Sequence, residues 1–171
     1  MQLSIYSNIK FLKMNKLFFI IAIAATLFAQ ETFAQDNQVQ TSPLLISYYS
    51  IKNALVAGNS DAAAASATTL LQAIDSITSN TVTPDKLSAL KKDANTIKAS
   101  KDIQRQRESF AGLSANMLSV VKANPLTMQP VYALYCPMKK SYWLSSDNAI
   151  KNPYFGNAML TCGEVSETIS Q

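Results

Sequence analysis

The chain of 171 residues contains no histidine. This absence excludes Ser-His-Asp and Cys-His catalysis, acid–base chemistry by histidine and every metal site that uses imidazole ligands. Glycine is scarce as well, with four residues, and none of them forms the glycine-rich loop that binds phosphate groups. We therefore expect a protein that is not an enzyme.

The formal net charge is +4, but much of this positive charge lies near the N-terminus, in Lys10, Lys13 and Lys16. The rest of the chain is close to neutral, which disfavours nucleic acid as a partner. A second group of basic side chains is interleaved with acidic ones, which is typical of a solvent-exposed helix face. It consists of Lys91, Lys92, Lys98, Lys101, Arg105 and Arg107.

An apolar segment at residues 17–28 follows Lys13 and Lys16 and precedes the small residue Ala34. The segment is shorter than the roughly 20 residues that a membrane-spanning helix requires. This arrangement is typical of a secretory signal peptide, residues 1–34, that is cleaved after Ala34. We expect an exported, periplasmic protein without a stable membrane anchor after cleavage; a retained anchor is the alternative.

Four amphipathic segments follow between residues 43 and 124, each with apolar residues at helical spacing. Their lengths and short connections predict an antiparallel four-helix bundle in a fold of the α+β class that is mainly α. The expected helix starts and ends are marked by Pro43, Gly58, Ser60 or Asp61, Thr83-Pro84, Ser100 or Asp102, and Asn124-Pro125. The apolar stripes are Leu44, Tyr48, Ile51 and Leu55; Ala63, Ala67, Leu70, Ile74 and Ile77; Leu87, Leu90, Ala94 and Ile97; and Ile103, Phe110, Leu113, Met117 and Val120 or Val121.

The composition changes at residues 125–171, which we expect to form a small, loop-rich β module packed on the bundle. Residues 131–135 and 142–144 are rich in side chains that favour strands, and a turn fits between them. Asn152-Pro153 and Cys162-Gly163 are further turn signals, so two or three short strands are predicted. Because this module contains the single tryptophan and both cysteines, we expect the functional site here.

Four sulfur-containing side chains form two close pairs in this module, Cys136 with Met138 and Met159 with Cys162. Residues two apart on a strand, or three apart in a turn, can point the same way. Thiolate and thioether are soft ligands that favour Cu(I) over hard cations. The sequence thus predicts a metal site for Cu(I) or Ag(I) that is formed by these four side chains.

A disulfide is the alternative for the two cysteines. Exported proteins commonly join an isolated cysteine pair, and a bond between Cys136 and Cys162 would stabilise the module by about 3 kcal/mol. In that interpretation Met138 and Met159 are ordinary apolar residues, and the module serves protein interaction. Because an oxidised pair supplies no thiolates, the two states exclude each other.

A set of ordered motifs extends over most of the chain. The segments are Tyr135-Cys136-Pro137-Met138, Trp143-Leu144-Ser145, residues 150–156, Met159-Leu160-Thr161-Cys162-Gly163, and upstream residues 49–56 and 107–121. Together they resemble the family named domain of unknown function 3347, over residues 44–168. The resemblance implies an exported protein that acts in or beside membrane-fusion proteins of copper and silver efflux systems, so we expect such a protein as the partner.

The segment Cys136-Pro137-Met138 is also similar to a short heavy-metal-binding motif in which histidine follows methionine. Lys139 stands at that position here, so a metal must rely on sulfur alone. The turn at residues 152–156 offers no obvious ligand, and we expect it to serve as scaffold. Trp143 is expected in the core, or exposed beside the site, where it could shield Cu(I).

Overall fold

The computed structural model describes residues 41–77 and 82–170, and these residues lie in one compact unit. Four helices come first and a small three-stranded sheet follows, which confirms the α+β, mainly helical fold class. Among the described residues, no helix is both long and apolar enough to cross a membrane. The predicted signal peptide, residues 1–34, lies outside the described residues.

The four helices match the four predicted amphipathic segments. They are α1 (Pro43–Val56), α2 (Ser60–Asp75), α3 (Pro84–Ala99) and α4 (Ile103–Ala123). The predicted stripes face the interior, and Ile51 of α1, Leu70 of α2, Ile97 of α3 and Met117 of α4 are all fully buried. Burial of one apolar face supplies most of the stability of such helices.

Helix boundaries follow the predicted signals, with one correction at the start of α2. The prolines expected in first turns do open α1 and α3. The predicted cap of α2, Ser60 or Asp61, is wrong by one residue, because Asn59 accepts the hydrogen bond from the Ala62 N–H at 2.9 Å. Asn, Ser and Asp cap helices about equally well, so residue type alone did not separate neighbouring candidates.

Each helix packs against the next one along the chain, and α4 also packs against the sheet. Two fully buried alanines of α2, Ala63 and Ala67, give it a thin face that a neighbouring helix can approach closely. One hydrophobic core contains side chains from all four helices and from all three strands. The helices and the C-terminal residues 125–170 therefore share a single core.

The sheet consists of β1 (Val131–Cys136), β2 (Ser141–Ser145) and β3 (Glu164–Ile169), with β1 in the centre and antiparallel to both neighbours. The strands β1 and β2 were predicted from the sequence. The alternation of apolar and polar residues in the sequence does not indicate β3. This edge strand is exposed along its length and buries only its last residue, Ile169. A strand without a buried face has no hydrophobic alternation to detect.

Arg107 is a correction to the predicted solvent-exposed basic face. It is buried, and its Nη2 donates a hydrogen bond to the Leu55 carbonyl oxygen, near the end of α1, at 2.9 Å. Its positive charge meets the negative end of the α1 dipole there. Gly156 packs directly on the guanidinium group, since a Cβ at this position would collide with it. Arg107 thus connects α4, the end of α1 and the loop after β2.

Tyr48 connects the helices to the sheet through a buried hydroxyl group. The hydroxyl accepts a hydrogen bond from the Leu144 N–H at 3.0 Å and is hydrogen-bonded to Ser114 Oγ at 2.7 Å. The ring of Tyr48 stacks on Phe110, with the ring centroids 5.2 Å apart. Burial raises the pKa of Tyr48 well above its ordinary value, so the hydroxyl stays protonated. One side chain of α1 therefore contacts both α4 and β2.

We expect Tyr48→Phe to lower the free energy of unfolding by about 1–3 kcal/mol, because the Leu144 N–H then remains buried without its acceptor. Urea denaturation followed by circular dichroism measures this change. Tyr49→Phe removes the hydroxyl of the adjacent, half-buried tyrosine and is the control, with an expected change below about 0.5 kcal/mol. Equal losses in the two variants would contradict the role assigned to Tyr48.

Candidate functional site

Cys136 is the last residue of the central strand β1 and is fully buried. The chain turns directly after it, and the Lys139 N–H donates a hydrogen bond to Cys136 Sγ at 3.4 Å. Lys140 completes the turn with a positive φ of 53°, and β2 begins at Ser141. The strand end and the turn together fix the position of the Cys136 sulfur.

Cys162 reaches the same place through the loop between β2 and β3. The next residue, Gly163, has a φ of 149°, and a Cβ there would lie 2.6 Å from Trp143 Cη2 and 3.0 Å from the Tyr135 carbonyl oxygen. Glycine is the residue that permits this close approach. Trp143 is fully buried, so it belongs to the core and is not an exposed shield of the site. The chain after Cys162 therefore lies directly against the sheet, beside the end of β1.

The two cysteines are free thiols and neighbours in space. Cys162 is half-buried, and one asparagine side chain, Asn152, contacts both Cys136 Sγ and the Cys162 carbonyl oxygen. Partial burial raises the pKa of the Cys162 thiol above its ordinary value, and the charge and hydrogen bonding of Cys136 raise it further. The disulfide considered for this pair is not formed in this structure, in which both cysteines are free.

Both methionines of the predicted four-sulfur site lie close to the cysteines in the chain but remain exposed. Met138 follows Cys136 in the turn and is 64% exposed, and Met159 is 40% exposed. The Cys162 N–H donates a hydrogen bond to the Met159 carbonyl oxygen at 3.1 Å, so these two residues share a tight turn. Burial fixes neither methionine side chain, so the fold defines the thiol pair but not the positions of the thioethers.

Asn152 is the residue of this site that the sequence did not reveal. The turn at residues 152–156 was predicted as scaffold, yet the Asn152 side chain is fully buried and contacts both cysteines. Its Nδ2 donates hydrogen bonds to Cys136 Sγ at 3.2 Å and to the Cys162 carbonyl oxygen at 2.7 Å. The Asn-Pro pair signals a turn, but no local pattern shows that the asparagine side chain points inward to a distant sulfur.

Other metal-binding arrangements are missing from the part of the chain that the structure describes. Within residues 41–77 and 82–170, no group of three or more cysteine, aspartate or glutamate side chains could hold a metal ion. Calcium needs several oxygen ligands, and structural zinc needs four ligands from cysteine, histidine or carboxylate. The adjacent thiols remain the donor set of this region, and thiolates favour soft ions.

We expect iodoacetamide to modify Cys162 before Cys136, because Cys162 is half-buried and Cys136 is fully buried. Only the thiolate reacts, and the raised pKa keeps Cys162 protonated at neutral pH. The ordinary pKa of cysteine is about 8.5. The rate at which Cys162 is modified should therefore continue to increase when the pH is raised beyond this value. Mass spectrometry of the modified peptides over a series of pH values measures both effects. A rate that levels off at a lower pH, or earlier modification of Cys136, would contradict this description.

The helical part of the chain carries the relationship to known proteins. A sequence model described as "Protein of unknown function (DUF3347)" matches residues 44–129, from the start of α1 to the connection before β1. The matched segment is shorter than the expected residues 44–168, and both cysteines lie beyond it. No curated protein and no solved structure matches the chain. On the match across its four helices, the chain belongs to the DUF3347 family.

Proposed function

We propose that this protein binds a soft monovalent metal ion, Cu(I) or Ag(I), through the thiols of Cys136 and Cys162. In this proposal it holds the ion or hands it over in copper or silver homeostasis, and it catalyses no reaction. The observation that carries the proposal is the closeness of two free cysteines, since the Asn152 amide contacts both Cys136 Sγ at the end of β1 and the Cys162 carbonyl oxygen in the loop before β3.

The surroundings of the thiols suit metal–thiolate chemistry. Cys136 Sγ accepts hydrogen bonds from the Lys139 N–H and from Asn152 Nδ2. Hydrogen bonds to a coordinating sulfur are one means by which proteins tune metal–thiolate sites. Because a thiol must lose its proton to coordinate, metal binding at Cys162 competes with the proton that the raised pKa retains. The affinity for the metal should therefore increase with pH.

Met138 and Met159 act as additional thioether ligands in this proposal. Each is exposed, and an unbranched methionine side chain adapts readily to the position of a neighbouring group. A site with one buried thiol, one half-buried thiol and two exposed thioethers would present its ion towards solvent. Such an arrangement supports transfer of the ion to another protein, and we propose a membrane-fusion component of an efflux system as that partner.

Export of the protein is the second part of the proposal. The pattern of residues 1–34 supports a signal peptide that is removed after Ala34. We expect N-terminal sequencing of the periplasmic protein from a bacterial host to begin at Gln35. Ala34→Arg should leave the leader attached, because signal peptidase requires a small residue at this position. A wild-type chain that keeps residues 1–34 after export would contradict this part.

A disulfide-stapled interaction module that docks on an efflux component is the second candidate function. The same juxtaposition favours it, since oxidation of neighbouring thiols would close a covalent bond between β1 and the loop before β3. In that case the pair stabilises the sheet and binds no ion. The redox state of the two cysteines, together with their response to Cu(I), separates the two functions.

We expect protein purified without oxygen to contain two free thiols and to bind one Cu(I) in competition with a chromogenic Cu(I) chelator. Cys136→Ser and Cys162→Ser should each weaken binding by more than about 100-fold, because changes outside the ligand set alone cost up to that factor. Met138→Leu and Met159→Leu should weaken it less. Met128→Leu is the matched control, since Met128 is similarly exposed at 60% but lies before β1.

Stoichiometric Cu(I) binding by the double variant Cys136→Ser, Cys162→Ser would contradict the metal site. Two results together would favour the stapled module. The purified protein would contain no free thiols, and it would not bind Cu(I) even after its disulfide is reduced.

A further inference from the structure

The side chain of Asn152 lies between the two halves of the thiol site. It is fully buried, and its Nδ2 donates one hydrogen bond to Cys136 Sγ at 3.2 Å and another to the Cys162 carbonyl oxygen at 2.7 Å. A side-chain amide has two N–H groups, so these two acceptors use its whole donor capacity. The Asn152 amide therefore joins the end of β1 to the loop that carries Cys162.

Hydrogen bonds also fix Asn152 itself. Its Oδ1 accepts the Tyr154 N–H at 2.8 Å, its backbone N–H donates to the Leu160 carbonyl oxygen at 2.8 Å, and its carbonyl oxygen accepts the Gly156 N–H at 3.0 Å. All polar groups of the residue are thus paired, and the amide has one orientation. With Oδ1 engaged by a main-chain donor, the N–H groups must face the cysteines.

An N–H group that faces a sulfur favours the electron-rich form of that sulfur. A thiolate, free or metal-bound, accepts a hydrogen bond more strongly than a neutral disulfide sulfur does, because charge strengthens the bond. Nδ2 of Asn152 is itself a donor and has no lone pair for a metal ion. Its effect on the site must therefore act through Cys136.

We propose that Asn152 is a positioning residue for the thiol pair: its amide holds Cys136 Sγ against the Cys162 backbone and favours the reduced, metal-binding form. As far as the metal is concerned, this inference rests on the proposed function. It extends that function by assigning the balance between the reduced and the oxidised pair to a residue that is not a ligand.

Asn152→Asp separates the role of the side-chain oxygen, which accepts the Tyr154 N–H, from that of Nδ2, which donates to Cys136 Sγ. Aspartate keeps an oxygen that accepts the Tyr154 N–H, but it lacks the donor to Cys136 Sγ and places a negative charge beside it. Asn157→Asp makes the same change of charge at an exposed position in the same loop, and it is the matched control.

The thiol–disulfide equilibrium with glutathione is the first readout, because it needs no metal. Two protein thiols and one oxidised glutathione give one protein disulfide and two reduced glutathione molecules. We expect the equilibrium constant to increase about tenfold in Asn152→Asp, since the reduced sulfur loses the hydrogen bond from Nδ2 and gains a neighbouring carboxylate, and to stay unchanged in Asn157→Asp. If Asn152 only held the two cysteines close together, its replacement would move them apart and disfavour the disulfide. An equilibrium constant that decreases or stays the same in Asn152→Asp would therefore overturn the assignment.

The Cu(I) affinity from chelator competition is the second readout. It should fall by about 10- to 100-fold in Asn152→Asp and stay unchanged in Asn157→Asp. Equal affinities of Asn152→Asp and a wild-type protein that does bind Cu(I) would overturn the metal part of the inference. If the wild-type protein binds no Cu(I), the proposed function fails, and the glutathione equilibrium still decides the role of Asn152.

Hydrogen exchange at the Tyr154 and Gly156 amides shows whether the loop of Asn152→Asp keeps its fold. Should the variant not fold, the wild-type protein provides the test. The side-chain amide protons of Asn152 in a nuclear magnetic resonance spectrum should shift when oxidised glutathione closes the pair, and those of Asn157 should not. Unshifted Asn152 protons would overturn the proposal.

Discussion

The buried hydroxyl of Tyr48 is the point at which the helices and the sheet depend on each other. Helix α1 supplies the hydroxyl, α4 supplies Ser114, and β2 supplies the Leu144 N–H. A buried main-chain N–H requires a hydrogen-bond partner, and here the partner comes from a helix. Since β2 pairs with β1 up to the register of Cys136 with Ser141, the attachment of β2 also determines where Cys136 lies. The position of the candidate site is in this way set by the helical part.

Two buried cations of the helices hold the segment that carries Asn152. Lys52 Nζ donates a hydrogen bond to Ser145 Oγ at 3.3 Å, at the end of β2, and Arg107 packs against Gly156. Burial lowers the pKa of Lys52, the nearby Lys151 lowers it further, and the attraction of Asp147 opposes both. Burying a charged group is costly unless it is hydrogen-bonded, and the Ser145 hydroxyl and the Leu55 carbonyl oxygen supply these partners. The loop that carries Asn152 is thus in contact with the helices at both of its ends, Ser145 and Gly156.

The helices, their buried stripes and the strands β1 and β2 were predictable because periodic spacing and turn signals are local properties. Asn59, Arg107 and Asn152 were not, for different physical reasons. Asn59 competed with equally suitable capping residues beside it. Arg107 stands in a basic stretch that resembles an exposed helix face, and its burial depends on the end of α1, which is distant in sequence. Asn152 has a local turn signal, but its sulfur partner lies on another element. The closeness of Cys136 and Cys162, by contrast, was implied by both predictions for the cysteine pair, although the close approach of Gly163 to Trp143 was not.

The two thiols are not equivalent, so the proposed metal site has a buried inner ligand and a more exposed outer ligand. Cys136 is fully buried and accepts hydrogen bonds from two N–H groups, whereas Cys162 is half-buried and has a raised pKa. Exposure increases from Cys136 to Cys162 to Met159. Under the proposal, an ion that arrives from solvent would therefore meet the thioether and the outer thiol first. Under the same proposal, a receiving protein would replace these outer ligands first. The raised pKa of Cys162 would then favour release, because a protonated thiol no longer coordinates. In the proposed site Cys136 would be the last ligand to lose the ion, since it is fully buried.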